Sequence, residues 1–158
     1  MATGGTIDCE QAMEYRRGEF LISTSRERIS LDMVHGFLTN SYWAKGISRE
    51  VVERSIEHSL CFGIYEGNGA QVGFARVVSD FATVAYLGDV FVLESQRGRG
   101  LSKWLMECVM QHPALQNLRC WILLTSDAHG LYARLGFTAV QAPERYMELY
   151  QPNIYERP

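Results

Sequence analysis

What this 158-residue chain lacks excludes several kinds of protein. It has four cysteines and no Cys-x-x-Cys, so it carries neither a zinc ribbon nor a dithiol redox motif. Cys61, Cys108 and Cys120 lie in apolar, strand- or helix-like runs. That predicts reduced thiols and a cytoplasmic protein. His35, His58, His112 and His129 show no metal-ligand spacing, and no metal is expected. No apolar run approaches the ~20 residues of a membrane span. The first ten residues have neither the basic nor the apolar region of a secretory signal. Lys and Arg number 15 against 18 Asp and Glu, a net charge of −3. A broad nucleic-acid surface needs a clustered basic excess, so nucleic acid is not an expected partner. Neither Gly-x-Gly-x-x-Gly nor a Walker Gly-x-x-x-x-Gly-Lys-Ser/Thr occurs.

What is present suits one globular domain. Residues 1–17 are polar and mixed and are expected to form a flexible N-terminal arm, leaving 18–158 as the domain. Residues 20–23 form a short apolar strand candidate. Ser30 and Ser48 can each cap a helix, the first with Leu31, Val34 and Leu38 inward, the second with Val52 and Ile56. Residues 60–65 and 71–78 are strands joined at Glu66-Gly67-Asn68-Gly69, and 83–93 is a third, apolar on both parities. A helix with Leu101, Trp104, Leu105, Cys108 and Val109 on one stripe runs up to Pro113. A strand at 120–124, a helix at 127–135 ending at Gly136, and late strands at 137–140 and 146–150 complete the chain. The order predicts an α/β fold with a central, twisted, mixed sheet flanked by helices.

The most informative stretch is 89–105, a buried strand, a polar turn and the start of a helix. Gly98 and Gly100 alternate with Arg97 and Arg99. Glycine lets a backbone approach a ligand closely. A helix N-terminus offers free N–H groups and the positive end of a dipole. Arginine adds charge and bidentate donors. This combination suits an anion such as a pyrophosphate. It also suits a plain strand-to-helix turn with two solvated arginines.

Arg97-Gly98-Arg99-Gly100-Leu101-Ser102 resembles the Arg/Gln-x-x-Gly-x-Gly/Ala signature of the GNAT family of N-acetyltransferases. About thirty residues later, Ala128-His129-Gly130-Leu131-Tyr132-Ala133-Arg134-Leu135-Gly136-Phe137 resembles the family's Ala-x-x-Leu-Tyr-x-x-x-Gly-Phe. The resemblance is best over residues 71–137. Ser102 stands where the family has Gly or Ala, and Thr125 where many members have Asn. The resemblance implies a GNAT-like acyl-CoA N-acyltransferase fold, acetyl-CoA as co-substrate, and transfer to a primary amine of a small molecule or peptide. A non-catalytic acyl-CoA-binding regulatory module is the alternative, and a nucleotide-binding protein using the same loop is a third reading.

In this reading the backbone from Arg97 to Ser102, including Gly98, Arg99, Gly100 and Leu101, holds the pyrophosphate. Phe91 and Val92 pair with the pantetheine arm where the sheet splays. Tyr132 protonates the departing thiolate, its phenol being neutral at pH 7; the alternative is a purely packed tyrosine. Asp89, an acid within an apolar strand, is the candidate base. An ion pair with Arg76, or a base acting through water, explains it equally well. Arg76 and Asp80 are candidate substrate contacts, Asp80 with a turn-forming role as its alternative. Trp43, with Tyr42 and Phe37, forms either an acceptor wall or simple packing. The late strands allow a homodimer.

Overall fold

The computed structural model describes residues 11–157. Thr3-Gly4-Gly5-Thr6 and Cys9 lie outside the described residues. The chain forms a six-stranded sheet in sequence order. Its strands are β1 (Glu14–Arg17), β2 (Phe20–Ser23), β3 (Leu60–Tyr65), β4 (Gln71–Ser79), β5 (Val84–Val92) and β6 (Cys120–Leu123). The first five run antiparallel to their neighbours, and β6 lies parallel to β5. Four helices accompany them: α1 (Leu31–Leu38), α2 (Arg49–Glu57), α3 (Leu101–Gln111) and α4 (His129–Ala133).

Capping fixes the first two helices. Ser30 Oγ accepts from the Met33 amide and Ser48 Oγ from the Val51 amide, each at 3.3 Å. Both helices bury the expected stripes, Val34 and Leu38, Val52 and Ile56. They cover one face of the sheet, where Cys61, Phe74 and Phe91 point. On the other face α3 lays Leu101, Leu105, Cys108 and Val109 over Phe62, Val72, Ala75, Val77, Ala85 and Leu87. Adjacent residues such as Cys61 and Phe62, or Phe74 and Ala75, thus serve opposite layers, as the pleat demands. The sheet is covered on both sides in its middle, which accounts for apolar runs of both parities.

Three expectations need correction. Residues 14–17 are not an arm; they pair with β2 through a turn at Gly18, whose φ of +58° suits glycine. Helix α4 is shorter than 127–135. Thr125 Oγ1 accepts from the Ala128 amide, and Leu135 and Gly136 close back with i→i+3 bonds that end the α-helix. The late strands do not form. Residues 137–140 and 146–150 are without regular structure, although Tyr146-Met147-Glu148-Leu149-Tyr150 has strand-like composition. Among the described residues neither segment joins the sheet, which ends at β6.

Phe74 is fully buried and packs its ring 5.9 Å from that of Phe91. Phe74→Ala is expected to cost about 3–5 kcal/mol in urea unfolding, the range for aromatic truncation in a packed core. Burial pushes the Cys61 thiol up to about 12 and that of Cys108 up to about 11. Both thiols therefore stay protonated at about pH 8 and should resist iodoacetamide in the native protein, reacting only on unfolding, as read by mass spectrometry.

Candidate active site

The site forms where β5 loses its second neighbour. β6 pairs with β5 only from Val84 to Leu87. Beyond that point β5 continues to Val92 with β4 alone. Leu93 N donates to Val72 O at 2.8 Å, so Val72 and Leu93 form a hydrogen-bonded pair. Antiparallel alternation then turns the Phe91 backbone toward β4 and that of Val92 toward the open side. Of the two residues expected to meet a pantetheine arm, only Val92 turns its backbone to the open side, where its carbonyl accepts from Arg97 Nε. Phe91 instead contributes its ring, stacked 3.8 Å from Phe37 at an interplanar angle of 5°.

A bulge lies in the same stretch. Phe74 pairs with Phe91 and Arg76 with Gly88, so two steps along β4 match three along β5. Asp89 occupies the bulge at φ +52°, left-handed backbone that Asp tolerates better than most residues. Its carboxylate is engaged on both oxygens. Arg76 Nε donates to Oδ2 at 2.7 Å, and Trp43 Nε1 donates to Oδ1 at 3.0 Å. Arg76 also donates to Ser59 Oγ at 3.1 Å. The pairing of Arg76 with Asp89 is thus present, and it brings Trp43 into the same cluster. Tyr42 meets Trp43 edge-on at 5.0 Å, and Phe37 lies 6.2 Å from Trp43.

After β5 the chain turns through Arg97 to Gly100 into α3. Gly98 and Gly100 have φ of +80° and +72°. Gly100 is the N-cap and offers no side chain, so the first amides of α3 have no capping partner. A Cβ on Gly98 would meet nothing within 4 Å, leaving open space above the turn. The loop is braced from behind by a residue that sequence reasoning passed over. Arg17, on β1, donates from Nη2 to the carbonyls of Arg99 and Gly100 at 3.2 and 3.5 Å, with its guanidinium 5.1 Å from the Trp104 ring. The carbonyls are thereby held on the hairpin side. The turn at Gly18 was the available signal. Arg99 extends over Phe20 and pairs with Glu19 at 3.5 Å, and Arg97 Nε donates to Val92 O at 3.3 Å.

Tyr132, on α4, is buried, with its ring 6.0 Å from Phe137. Burial first, then the neighbouring Tyr42 and Asp127, pushes its phenol up to about 12. It is a neutral O–H donor at physiological pH. Asp80 does not join the cluster. It accepts from the amides of Ala82, Thr83 and Val84 and from Thr83 Oγ1, closing the turn at the far end of β5. Those bonds, the Thr83 hydroxyl foremost, hold its carboxyl far below the usual carboxylate range. Among the described residues no cluster of His, Cys, Asp and Glu could hold a metal ion, and no helix is long and apolar enough to cross a membrane.

The model of the GNAT acetyltransferase domain matches residues 57–139, the part of the chain that builds this loop, cleft and phenol. The chain belongs to the GNAT acetyltransferase family. A GNAT structure from Xanthomonas campestris pv. campestris, provisionally named an acetyltransferase, is 52% identical. The match covers 89% of this chain and 99% of that one, with a TM-score of 0.86. A Gibberella zeae protein, also provisionally named an acetyltransferase, is 28% identical over 150 residues, covering 81% of this chain and 84% of that protein. A Deinococcus radiodurans structure at 22% identity and a TM-score of 0.69, covering 91% of this chain and 95% of that one, shares the GNAT fold.

Removing the guanidinium leaves the Asp89 carboxylate, only 13% exposed, without its charged partner. Arg76→Met is expected to destabilise this GNAT domain by about 1–3 kcal/mol in chemical denaturation. Because Trp43 shares that carboxylate, the variant should also shift native tryptophan fluorescence.

Proposed function

We propose that the protein is an acetyl-CoA-dependent N-acetyltransferase that passes an acetyl group directly to a primary amine of a small molecule or peptide within a ternary complex. The observation that carries this reading is the continuity of two backbone surfaces that no strand or cap covers. The outward face of Val92 leads within a few residues to the uncapped start of α3.

The residues fit a pyrophosphate-bearing co-substrate. The amides of Gly98 to Ser102 point a helix terminus at the phosphates, and Arg97 and Arg99 supply positive charge. Arg97 gives up its bond to the Val92 carbonyl as it turns to the phosphates, freeing that carbonyl for a pantetheine amide. Acetyl-CoA supplies the activated acyl group as a thioester.

The Val92 N–H, aimed into the cleft, donates to the carbonyl oxygen as it gains charge. The amine nitrogen bonds to the acyl carbon, and the carbon–sulfur bond breaks. Tyr132 gives its phenolic proton to the sulfur that leaves. Its elevated pKa keeps that proton in place until a thiolate forms beside it. The amine must shed a proton as it attacks. Asp89, fixed by Arg76 and Trp43, retains lone pairs on both oxygens and draws the incoming ammonium, whose proton passes to it directly or through water. Trp43 and Tyr42 wall the acceptor. A cavity of about 540 Å³ beside them is completed by Leu149, Tyr150 and Tyr155 from the C-terminal segment.

The test is release of free CoA thiol with a panel of primary amines. Turnover on at least one amine is expected, and acetyl-CoA binding with no turnover on any amine would favour a regulatory module. Tyr132→Phe should lower kcat by ~10²-fold while leaving the acetyl-CoA Kd within about twofold; wild-type kcat in that variant would remove the phenol from the mechanism. Arg17→Ala should do the reverse, weakening acetyl-CoA binding in calorimetry by about 5- to 10-fold, on the scale of one lost charged hydrogen bond, with kcat at saturation preserved.

A further inference from the structure

The sheet face that bears Asp89 is covered over only part of its length. The pairings of Arg76 with Gly88, Val78 with Tyr86 and Tyr86 with Ile122 put all five side chains on one side of β4, β5 and β6, opposite to Ala85 and Leu87. Helices α1 and α2 cover this side above Cys61 and Phe74. Their cover stops before Val78, which is 42% exposed, and Tyr86 and Ile122 are only partly buried. An apolar floor is thus left open, and it runs up to the cluster of Arg76, Asp89 and Trp43.

Tyr86 is the middle of that floor. Its ring leans along the strand over Gly88, where an added Cβ would lie 3.0 Å from Cε1. The phenol therefore fills a place that any other residue at 88 would take, and it points toward Asp89. Burial, and then the Asp89 carboxylate, raise its phenol above the ordinary value, so it is uncharged at neutral pH. The charges around the floor are matched already. Arg76 is the one cation that β4, β5 and β6 turn to this side, and Asp89 holds it at 2.7 Å. Lys45, two residues after Trp43, pairs with Glu156 at 3.2 Å.

A substrate ammonium can take the remaining lone pairs of Asp89. A second charge on the same substrate would lose water over the floor and meet no unmatched partner there. A flat apolar body gains instead, stacking on the Tyr86 ring and covering Val78 and Ile122. Tyr86 and Gly88 are two strand residues apart, on the order of 7 Å, so a link of about two or three carbons joins the ring to the carboxylate.

We propose that Tyr86 sets acceptor specificity, and that the acceptor is a monoamine with a flat aromatic body, which lies on Tyr86 flanked by Val78 and Ile122 while its ammonium meets Asp89. This inference rests on the acetyl-transfer reading and narrows it, excluding amino acids, sugar phosphates and other amines that carry an anionic group.

Kinetics at saturating acetyl-CoA test it with 2-phenylethylamine, ethylamine and glucosamine 6-phosphate. The kcat/KM for 2-phenylethylamine should exceed the other two by at least ~10-fold, the scale of a buried aromatic contact. Tyr86→Ser should erase most of the advantage over ethylamine, through KM rather than kcat, while Tyr86→Phe keeps it because the ring makes the floor. Val78→Asn, at an exposed position where folding is not at stake, should lower the same ratio about threefold. Equal kcat/KM for the three amines, a preference for glucosamine 6-phosphate, or an undiminished advantage in Tyr86→Ser overturns the proposal. If no amine turns over, the acetyl-transfer reading fails by itself, and calorimetry of 2-phenylethylamine with CoA present decides the floor. Binding weakened ~10-fold by Tyr86→Ser upholds it; no binding, or binding indifferent to the substitution, overturns it.

Discussion

The ion pair between Arg76 and Asp89 is the interaction on which the arrangement of the site depends. Asp89 stands in the one extra residue that β5 inserts against β4, and that residue reverses the parity of the strand. Before the bulge the odd-numbered Ala85 and Leu87 face α3; after it the even-numbered Val92 does, and Phe91 turns to the α1–α2 layer. A carboxylate there would be costly unpaired. Bound by a guanidinium from β4 and an indole from the α1–α2 connection, it ties three elements to one point. β6 pairs with β5 only as far as Leu87, two residues before Asp89, and the ion pair ties the bulge to β4. The end of the β5–β6 pairing and the placement of Trp43 therefore meet at one residue.

The two-glycine turn before α3 has a comparable support. Two glycines in left-handed conformation would leave a floppy turn if nothing else fixed it. Arg17 supplies the fixing. Its guanidinium stacks on Trp104 and gathers the carbonyls of Arg99 and Gly100, so the amides are left on the opposite, open side. The absence of a Cβ on Gly100 matters twice, once for its φ of +72° and once because that atom would lie 3.3 Å from Arg17 Nη2. A turn whose amides are to serve as donors needs such a scaffold, since backbone groups cannot be repositioned by rotamer changes.

Much of this was legible in the sequence because it rests on local rules. The serine caps, the apolar stripes, the hairpins and the strand–glycine–helix passage all follow from spacing. The two motifs located the loop and the phenol. What could not be read depends on distant partners. The bulge at Asp89 is invisible in a run apolar on both parities, because either register satisfies the pattern. For the same reason Phe91 and Val92 could not be told apart, although only one turns its backbone to the cleft. Arg17 resembles any charged residue of a polar segment until the sheet brings it to residues more than eighty positions away. Asp80 and Asp89 look alike in sequence, yet one is consumed by four bonds in a turn and the other is anchored beside an indole.

The C-terminal segment marks the sharpest divergence between pattern and fold. Alternating tyrosine, methionine and leucine at 146–150 meets every local criterion for a strand, and the chain leaves it without partners. Strand propensity expresses a fit to a pleated neighbour more than a preference of the isolated backbone. A segment of that composition therefore does not become a strand by propensity alone. The outer edge of β6 borders the same helix that carries Tyr132. A site built where two strands part is open to water on the side away from α1 and α2.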